Sequence, residues 1–170
     1  MMARDFYPFN STSLVVAEGD YAVIQNRNGH LCGYMVLPAA EVPEEWHGDY
    51  DAPGLQYLNV HGGITYCRVN GDQVVFGFDC ADAGDDENRL LRFPRHVLAL
   101  AEDMGRQLRA FASVYDEFKA ADREKRISIL ENIREKAVFK EEIGFGGLLD
   151  MMAGGTSLDP SDGDNGGEQR

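Results

Sequence analysis

The sequence predicts an α+β fold: an antiparallel sheet of about five strands, a hairpin plus a three-stranded meander, packed by one long C-terminal helix and a second charged helix. Three observations predict it. Short β-rich runs separated by Asn-Gly and Gly-Gly reversals fill the first half of the chain, apolar residues at helical spacing begin at Pro94, and the composition turns to Gly, Asp and Ser after Ile143. These give a single domain over residues 1–143 and a Gly/Asp-rich, largely disordered acidic tail over 144–170.

The hairpin is read from Asn28-Gly29, a pair suited to a two-residue turn because both positions tolerate positive φ. Its flanks are Tyr21 to Gln25 and Leu31 to Leu37, the latter stopped by Pro38, which has no N–H to continue a ladder. From Glu41 to Gly54 the chain is polar and rich in breakers, an excursion loop carrying Trp46, His47 and Tyr50 among acids. Trp46 either packs over a sheet edge or serves function in this loop. The meander follows as Gln56 to Val60, Ile64 to Val69 and Gln73 to Phe78, turning at His61-Gly62-Gly63 and Asn70-Gly71. The near-continuous apolar run Val74 to Phe78 implies an interior strand, with Gly77 marking a bulge or a close approach.

Pro94 stands at a first helical position, where its missing N–H costs nothing. Val97, Leu100, Met104, Leu108, Phe111 and Tyr115 then recur at steps of three and four and form one apolar stripe, with Gly105 a mild local cost. Asp122 is a competent N-cap for a second helix whose apolar side is Ile127, Leu130, Ile133 and Ala137 and whose other faces are densely charged. In the tail, Phe145, Leu148, Leu149, Met151 and Met152 form an apolar island that either docks on a partner or packs on the sheet.

The net charge of −13 is uneven: residues 1–94 carry fourteen acids against five bases, residues 95–143 ten of each, and residues 144–170 five against one. Direct nucleic-acid binding is disfavoured, because phosphate neutralisation needs clustered Lys and Arg; a partner with a basic surface is compatible. No window is apolar enough for a membrane helix and Met1 to Asn10 lacks a signal-peptide pattern, so a cytoplasmic address, and no membrane partner, is expected. Cys32, Cys67 and Cys80 are odd in number and form no Cys-x-x-Cys pair, which suits reduced thiols. With His61 they would make a Cys₃His zinc set, but zinc ligands come in closely spaced pairs and buried structural cysteine is the plainer reading.

Reactive side chains concentrate at His61 and along Asp79, Cys80, Asp82, Asp85, Asp86 and Glu87. Pairing of the last two meander strands brings the chain beyond Asp79 toward the His61 turn, since consecutive antiparallel strands bring alternate ends together. A histidine beside carboxylates has the chemistry of a general base or metal ligand. The enzyme reading is a small hydrolase with His61 as base or ligand, Asp79 and Asp82 as orienting or metal carboxylates, and Tyr66 or Cys80 nearby; a divalent metal is its optional cofactor. The bland reading makes His61 a turn residue and the acids a solvated, helix-capping loop. No EF-hand loop, phosphate loop, His-Glu-x-x-His or nucleophile elbow occurs.

Cys32-Gly33-Tyr34 with Pro38, Val60-His61-Gly62-Gly63-Ile64-Thr65-Tyr66, and Phe76-Gly77-Phe78-Asp79-Cys80-Ala81 with Gly84-Asp85 together resemble a family of bacteriophage and prophage proteins that has no established activity. The resemblance spans roughly residues 31–108. It implies a phage or mobile-element origin rather than a reaction. In that family a histidine often follows Asp-Cys-Ala, where this chain has Asp82, so a two-histidine site would be half lost here. The favoured expectation is an accessory protein binding a host or phage protein in the host cytoplasm, such as an anti-defence or host-takeover inhibitor, without a cofactor. Its binding residues are Glu44, Glu45, Trp46, Asp49, Tyr50 and Asp51 of the excursion loop and Asp85, Asp86 and Glu87 of the later loop.

Overall fold

A computed structural model describes residues 13–139; the tail 144–170, with its apolar island, lies outside the described residues. The fold is α+β. Five antiparallel strands, β1 (Ser13–Glu18), β2 (Tyr21–Gln25), β3 (Leu31–Pro38), β4 (Tyr66–Asn70) and β5 (Gln73–Asp79), form one sheet in the order β1-β2-β3-β5-β4. Three helices follow: α1 (Pro94–Ala112), α2 (Tyr115–Ala120) and α3 (Arg123–Glu135).

The sheet departs from a simple meander in two ways. Gln56 to Val60 is not a strand: Leu55–Tyr57 is a single 3₁₀ turn, and Val60 N–H then donates back to Leu58 O at 3.0 Å in a second tight turn. The peptide groups of Asn59 are taken by a side chain instead of a neighbouring strand, with Asn59 N–H donating to Gln107 Oε1 at 2.8 Å and Gln107 Nε2 donating to Asn59 O at 2.8 Å. A pairing satisfied this way leaves nothing for a ladder. The fifth strand is Ser13–Glu18, unforeseen because its leading residues are exposed and show no alternation. It joins through backbone pairing to β2, with a bulge between Leu14 and Val16.

The first turn also differs from the expected two-residue form. Asn26 N–H donates to His30 O and Gly29 N–H to Asn26 O, leaving Arg27-Asn28-Gly29 as a three-residue loop with Gly29 at φ 86°. Asn26 Oδ1 accepts from the N–H of both Asn28 and His30, which favours this longer loop.

Strand β5 is interior, between β3 and β4, and its ladder runs without a bulge from Gln73 to Asp79. Gly77 is a close-approach position. The rings of Tyr34 and Tyr66, from the strands on either side, meet edge to face at 5.5 Å, and a Cβ at Gly77 would lie 2.5 Å from the Tyr34 ring.

Helix α1 packs across β3 and β2. Pro94 is at its first position, as the missing donor predicts, and Val97, Leu98, Ala101, Met104, Leu108 and Phe111 are buried against the sheet. Gly105 lets the helix descend onto Tyr21, since a Cβ there would come within 2.8 Å of the ring. The apolar stripe breaks at Ser113, and Tyr115 opens α2 instead of extending α1. Helix α3 begins where Asp122 caps it, Oδ1 accepting from Lys125 N–H at 2.9 Å.

Trp46 is wholly buried among Phe76, Phe111 and Tyr115, its ring centroid 5.0–6.4 Å from theirs. The excursion loop is thereby pinned to the helix layer. Its tryptophan belongs to the core and presents nothing to a partner, because an indole this large stabilises the fold most when fully removed from water.

Candidate functional site

The turn after Val60 closes with Gly63 N–H donating to Val60 O at 2.9 Å, and it carries His61 beside the loop that leaves β5. Gly62 has φ 62°, a conformation that favours glycine, and a Cβ there would fall 2.2 Å from Asp82 Oδ2, so the turn lies directly against the Asp82 side chain. The carboxylate that His61 meets is Asp85: Nε2 lies 3.1 Å from both its oxygens, and both side chains are about nine-tenths buried, at 12% and 10% exposure. Asp85 Oδ2 also accepts from Asp82 N–H at 2.8 Å. Phe78 packs edge-on against the imidazole at 6.2 Å.

The remaining predicted catalytic residues are near but engaged otherwise. Asp79 accepts from Thr65 Oγ1 at 3.1 Å and from Ala81 N–H at 3.2 Å, so its carboxylate holds the strand end and not the imidazole. Asp82 is exposed and adjoins Gly62. Cys80 is buried, and burial, reinforced by the negative charge of Asp85, pushes its thiol up to about 12. A nucleophilic cysteine needs the opposite shift, toward thiolate at neutral pH, so the burial of Cys80 works against that role.

The Cys₃His set, the lesser of the two readings of these thiols, is not assembled among the described residues. Cys32 sits in a side-chain cluster separate from the one holding Cys80, and Cys67 Sγ donates to Trp46 O at 3.0 Å. Among the described residues no group of three His, Cys, Asp or Glu side chains is placed to hold a metal ion.

The loop that supplies Asp85 is tightly wound. Asp85 N–H donates to Asp82 O, Glu87 N–H to Gly84 O and Asn88 N–H to Asp85 O, and Arg92 Nη2 donates to Asp86 O at 2.9 Å. Asp82, Asp86 and Glu87 point outward from this frame, all exposed. Beside it opens a cleft of about 360 Å³ whose walls include His30, Cys80, Asp85, Asp86, Leu91 and Arg92. His30 and Arg92 had no motif to mark them; only folding of the first hairpin against this loop places them here.

The excursion-loop acids form a second, separate group. Cys32 pairs with Asp79 at one end of β3 while the excursion departs after Pro38 at the other, roughly 20 Å away at strand rise. Glu44, Glu45, Asp49, Tyr50 and Asp51 are exposed, Glu45 is paired with Lys119 of α2, and Asp49 Oδ1 accepts from Asp51 N–H. The lysine lowers the Glu45 carboxyl below its usual range.

A third polar cluster escaped sequence reading. Asp103 of α1, 2% exposed, accepts from the N–H groups of Val138 and Phe139 and from Arg106. Asn59 Nδ2 donates to Phe139 O at 2.5 Å, and the Phe139 ring packs edge-on against His96 at 5.4 Å. Burial, aided by the nearby charge of His61, lowers the His96 pKa. The chain beyond α3 is thus anchored beside the His61 turn.

These features define an α+β protein with a bound histidine–carboxylate pair, an ordered acidic loop and a cleft at one end of its sheet. No family model, curated protein or solved structure matches the chain. No helix among the described residues is long and apolar enough to cross a membrane.

Proposed function

We propose that this protein acts by binding a host or phage protein with a basic surface, through the loop from Asp82 to Glu87. The observation that carries this reading is the preorganisation of that loop: three exposed carboxylates ride on a backbone held by consecutive turns and by the His61–Asp85 contact. A loop backbone ordered before binding loses little conformational freedom on association, and an acidic field held at one place accelerates encounter with a cationic surface. A phage accessory role, as an inhibitor of a host system, fits this mode. The excursion acids are secondary, since Glu45 already has its lysine and Trp46 is core.

Affinity capture of the tagged protein from host lysate at low and high salt tests this, with Asp86→Lys/Glu87→Lys and Glu44→Lys/Asp51→Lys variants run in parallel. The expected result is a stoichiometric protein partner, lost at high salt and lost in the first variant but retained in the second. A partner insensitive to both salt and Asp86→Lys/Glu87→Lys would overturn the reading.

A second reading has its own observation. A histidine whose Nε2 is held by a buried carboxylate is the arrangement that orients an imidazole for proton transfer in a hydrolase, and here that carboxylate, Asp85, also lines the cleft. Under it, a panel of ester and phosphoester substrates is turned over by the wild type, and His61→Ala abolishes turnover without altering secondary structure. Unchanged turnover in His61→Ala would remove it.

A further inference from the structure

The turn hydrogen bonds that order the acidic loop do not stop at its last carboxylate. Leu91 N–H donates to Asn88 O, Phe93 N–H donates to Leu90 O, and Asn88 Oδ1 accepts from Leu90 N–H at 3.1 Å, so one continuous frame runs from Asp82 to the start of α1. Residues Arg89–Arg92 form a 3₁₀ turn within it. At three residues per turn, side chains three apart eclipse one another, which gives the segment three faces. Leu91 takes the inward face and is 5% exposed. Arg89 and Arg92 share a second, from which Arg92 reaches back to Asp86 O. Leu90 and Phe93 share the third, and they stand in water at 54% and 60% exposure.

Phe93 is the most exposed Phe, Tyr or Trp among the described residues, and the fold gains little from it. A residue left largely in water adds little to the core. Phe93 is also the N-cap of α1 and makes no side-chain cap hydrogen bond, at a position where Ser, Thr, Asp or Asn would accept from a free helical N–H. The chain uses that capping chemistry elsewhere, at Asn88 and Asp122. Neither burial nor capping accounts for an aromatic residue here, beside a second exposed apolar residue; an apolar contact with another molecule does.

We propose that Leu90 and Phe93 are the apolar anchor of a binding face whose rim is Asp86 and Glu87, and that they fit an apolar pocket bordered by Lys and Arg on a partner protein. The inference deepens the proposed function and rests on it. Charge decides the occupant. Residues 82–93 carry four acids against two arginines, so a basic border is attracted, while an anionic membrane surface or a second copy of the same face is repelled. The two parts of the face differ in what they do. Rim carboxylates speed encounter and are screened by salt, whereas a desolvated aromatic anchor slows release and is not.

The test extends the capture experiment, on the full chain, to Leu90→Ser/Phe93→Ser. Val69→Ser is the control, since Val69 is 43% exposed and pairs with Val74 at the far end of β5 from Asp79. The retained protein is expected to leave immobilised Leu90→Ser/Phe93→Ser at least roughly tenfold faster than wild type, and Val69→Ser at the wild-type rate. The ratio should hold as salt is added, up to the concentration at which wild type also lets go. Wild-type release from Leu90→Ser/Phe93→Ser, with loss in Asp86→Lys/Glu87→Lys, would overturn the anchor and leave the acidic-loop reading standing. Retention in both, or no retained protein at all, would remove both. Equal acceleration in Val69→Ser would mean general apolar adhesion and count against the anchor. A second measurement needs no partner: the urea midpoint of Phe93→Ser should stay level or rise, because serine caps the helix. A lower midpoint would show that the fold itself needs the ring. In sedimentation, a wild-type dimer that Leu90→Ser/Phe93→Ser abolishes would make the occupant a second copy and overturn the proposal.

Discussion

His61 Nε2 lies 3.1 Å from both carboxylate oxygens of Asp85, across twenty-four positions of sequence, and Asp85 in turn holds the N–H of Asp82. One side chain therefore ties the turn before β4 to the loop after β5. The pair is as much a fastening as a candidate for chemistry.

Cutting that fastening gives a first prediction. Asp85→Ala should raise amide exchange of residues 82–88 while the helices stay protected, with global stability falling by about 1–3 kcal/mol, the usual cost of a lost charge-assisted hydrogen bond. Exchange mass spectrometry with urea titration reads both. Unchanged exchange in the loop would show that its turns stand without the pair.

The three thiols, two buried and that of Cys67 partly so, predict an alkaline weakness. Burial, first among the causes, raises Cys80 from 9.0 to about 12 and Cys32 and Cys67 from 9.0 to about 11. A thiol raised by folding contributes stability that is complete below the unfolded value and is lost as pH climbs through the folded one. The urea midpoint should thus hold from pH 7 to pH 8.5 and fall beyond pH 9, and Cys80→Ala should fall less steeply. Equal slopes in the two proteins would show that Cys80 does not contribute.

Gly77→Ala places a methyl 2.5 Å from the Tyr34 ring, between strands too tightly paired to separate. The expected loss is about 1–3 kcal/mol from overpacking. If the tyrosine ring is the obstacle, Tyr34→Ala should cancel part of the added cost in the double variant. Strict additivity of the two substitutions would place the strain elsewhere.

Asp103→Ala strips the acceptor from the N–H groups of Val138 and Phe139 in a buried position. A cost of about 2–4 kcal/mol is expected, together with faster exchange at residues 138 and 139. Gln107→Ala should act similarly on Asn59. A loss below about 0.5 kcal/mol for Asp103→Ala, the range of ordinary surface changes, would mean that water replaces the carboxylate.

Local signals determined much of this protein. Strands β2, β3 and β5, the start of α1 at Pro94 and the Asp122 cap of α3 were legible because periodicity, proline and capping chemistry act within a few residues. The clustering of His61 with acids after Asp79 was legible for a related reason, since a tight β4–β5 hairpin has one geometry. Tertiary structure alone decided the rest. It set β5 between β3 and β4, recruited Ser13–Glu18 as the fifth strand, and gave the peptide of Asn59 to Gln107 although its apolar neighbours read as a strand. It also took Trp46 from an acidic loop into the core and chose Asp85, not Asp79 or Asp82, as the partner of His61. The physical reason is common to all of these. A backbone group or carboxylate is satisfied by whichever partner packing brings within 3 Å, and packing is settled by the burial of distant apolar side chains that no local pattern records.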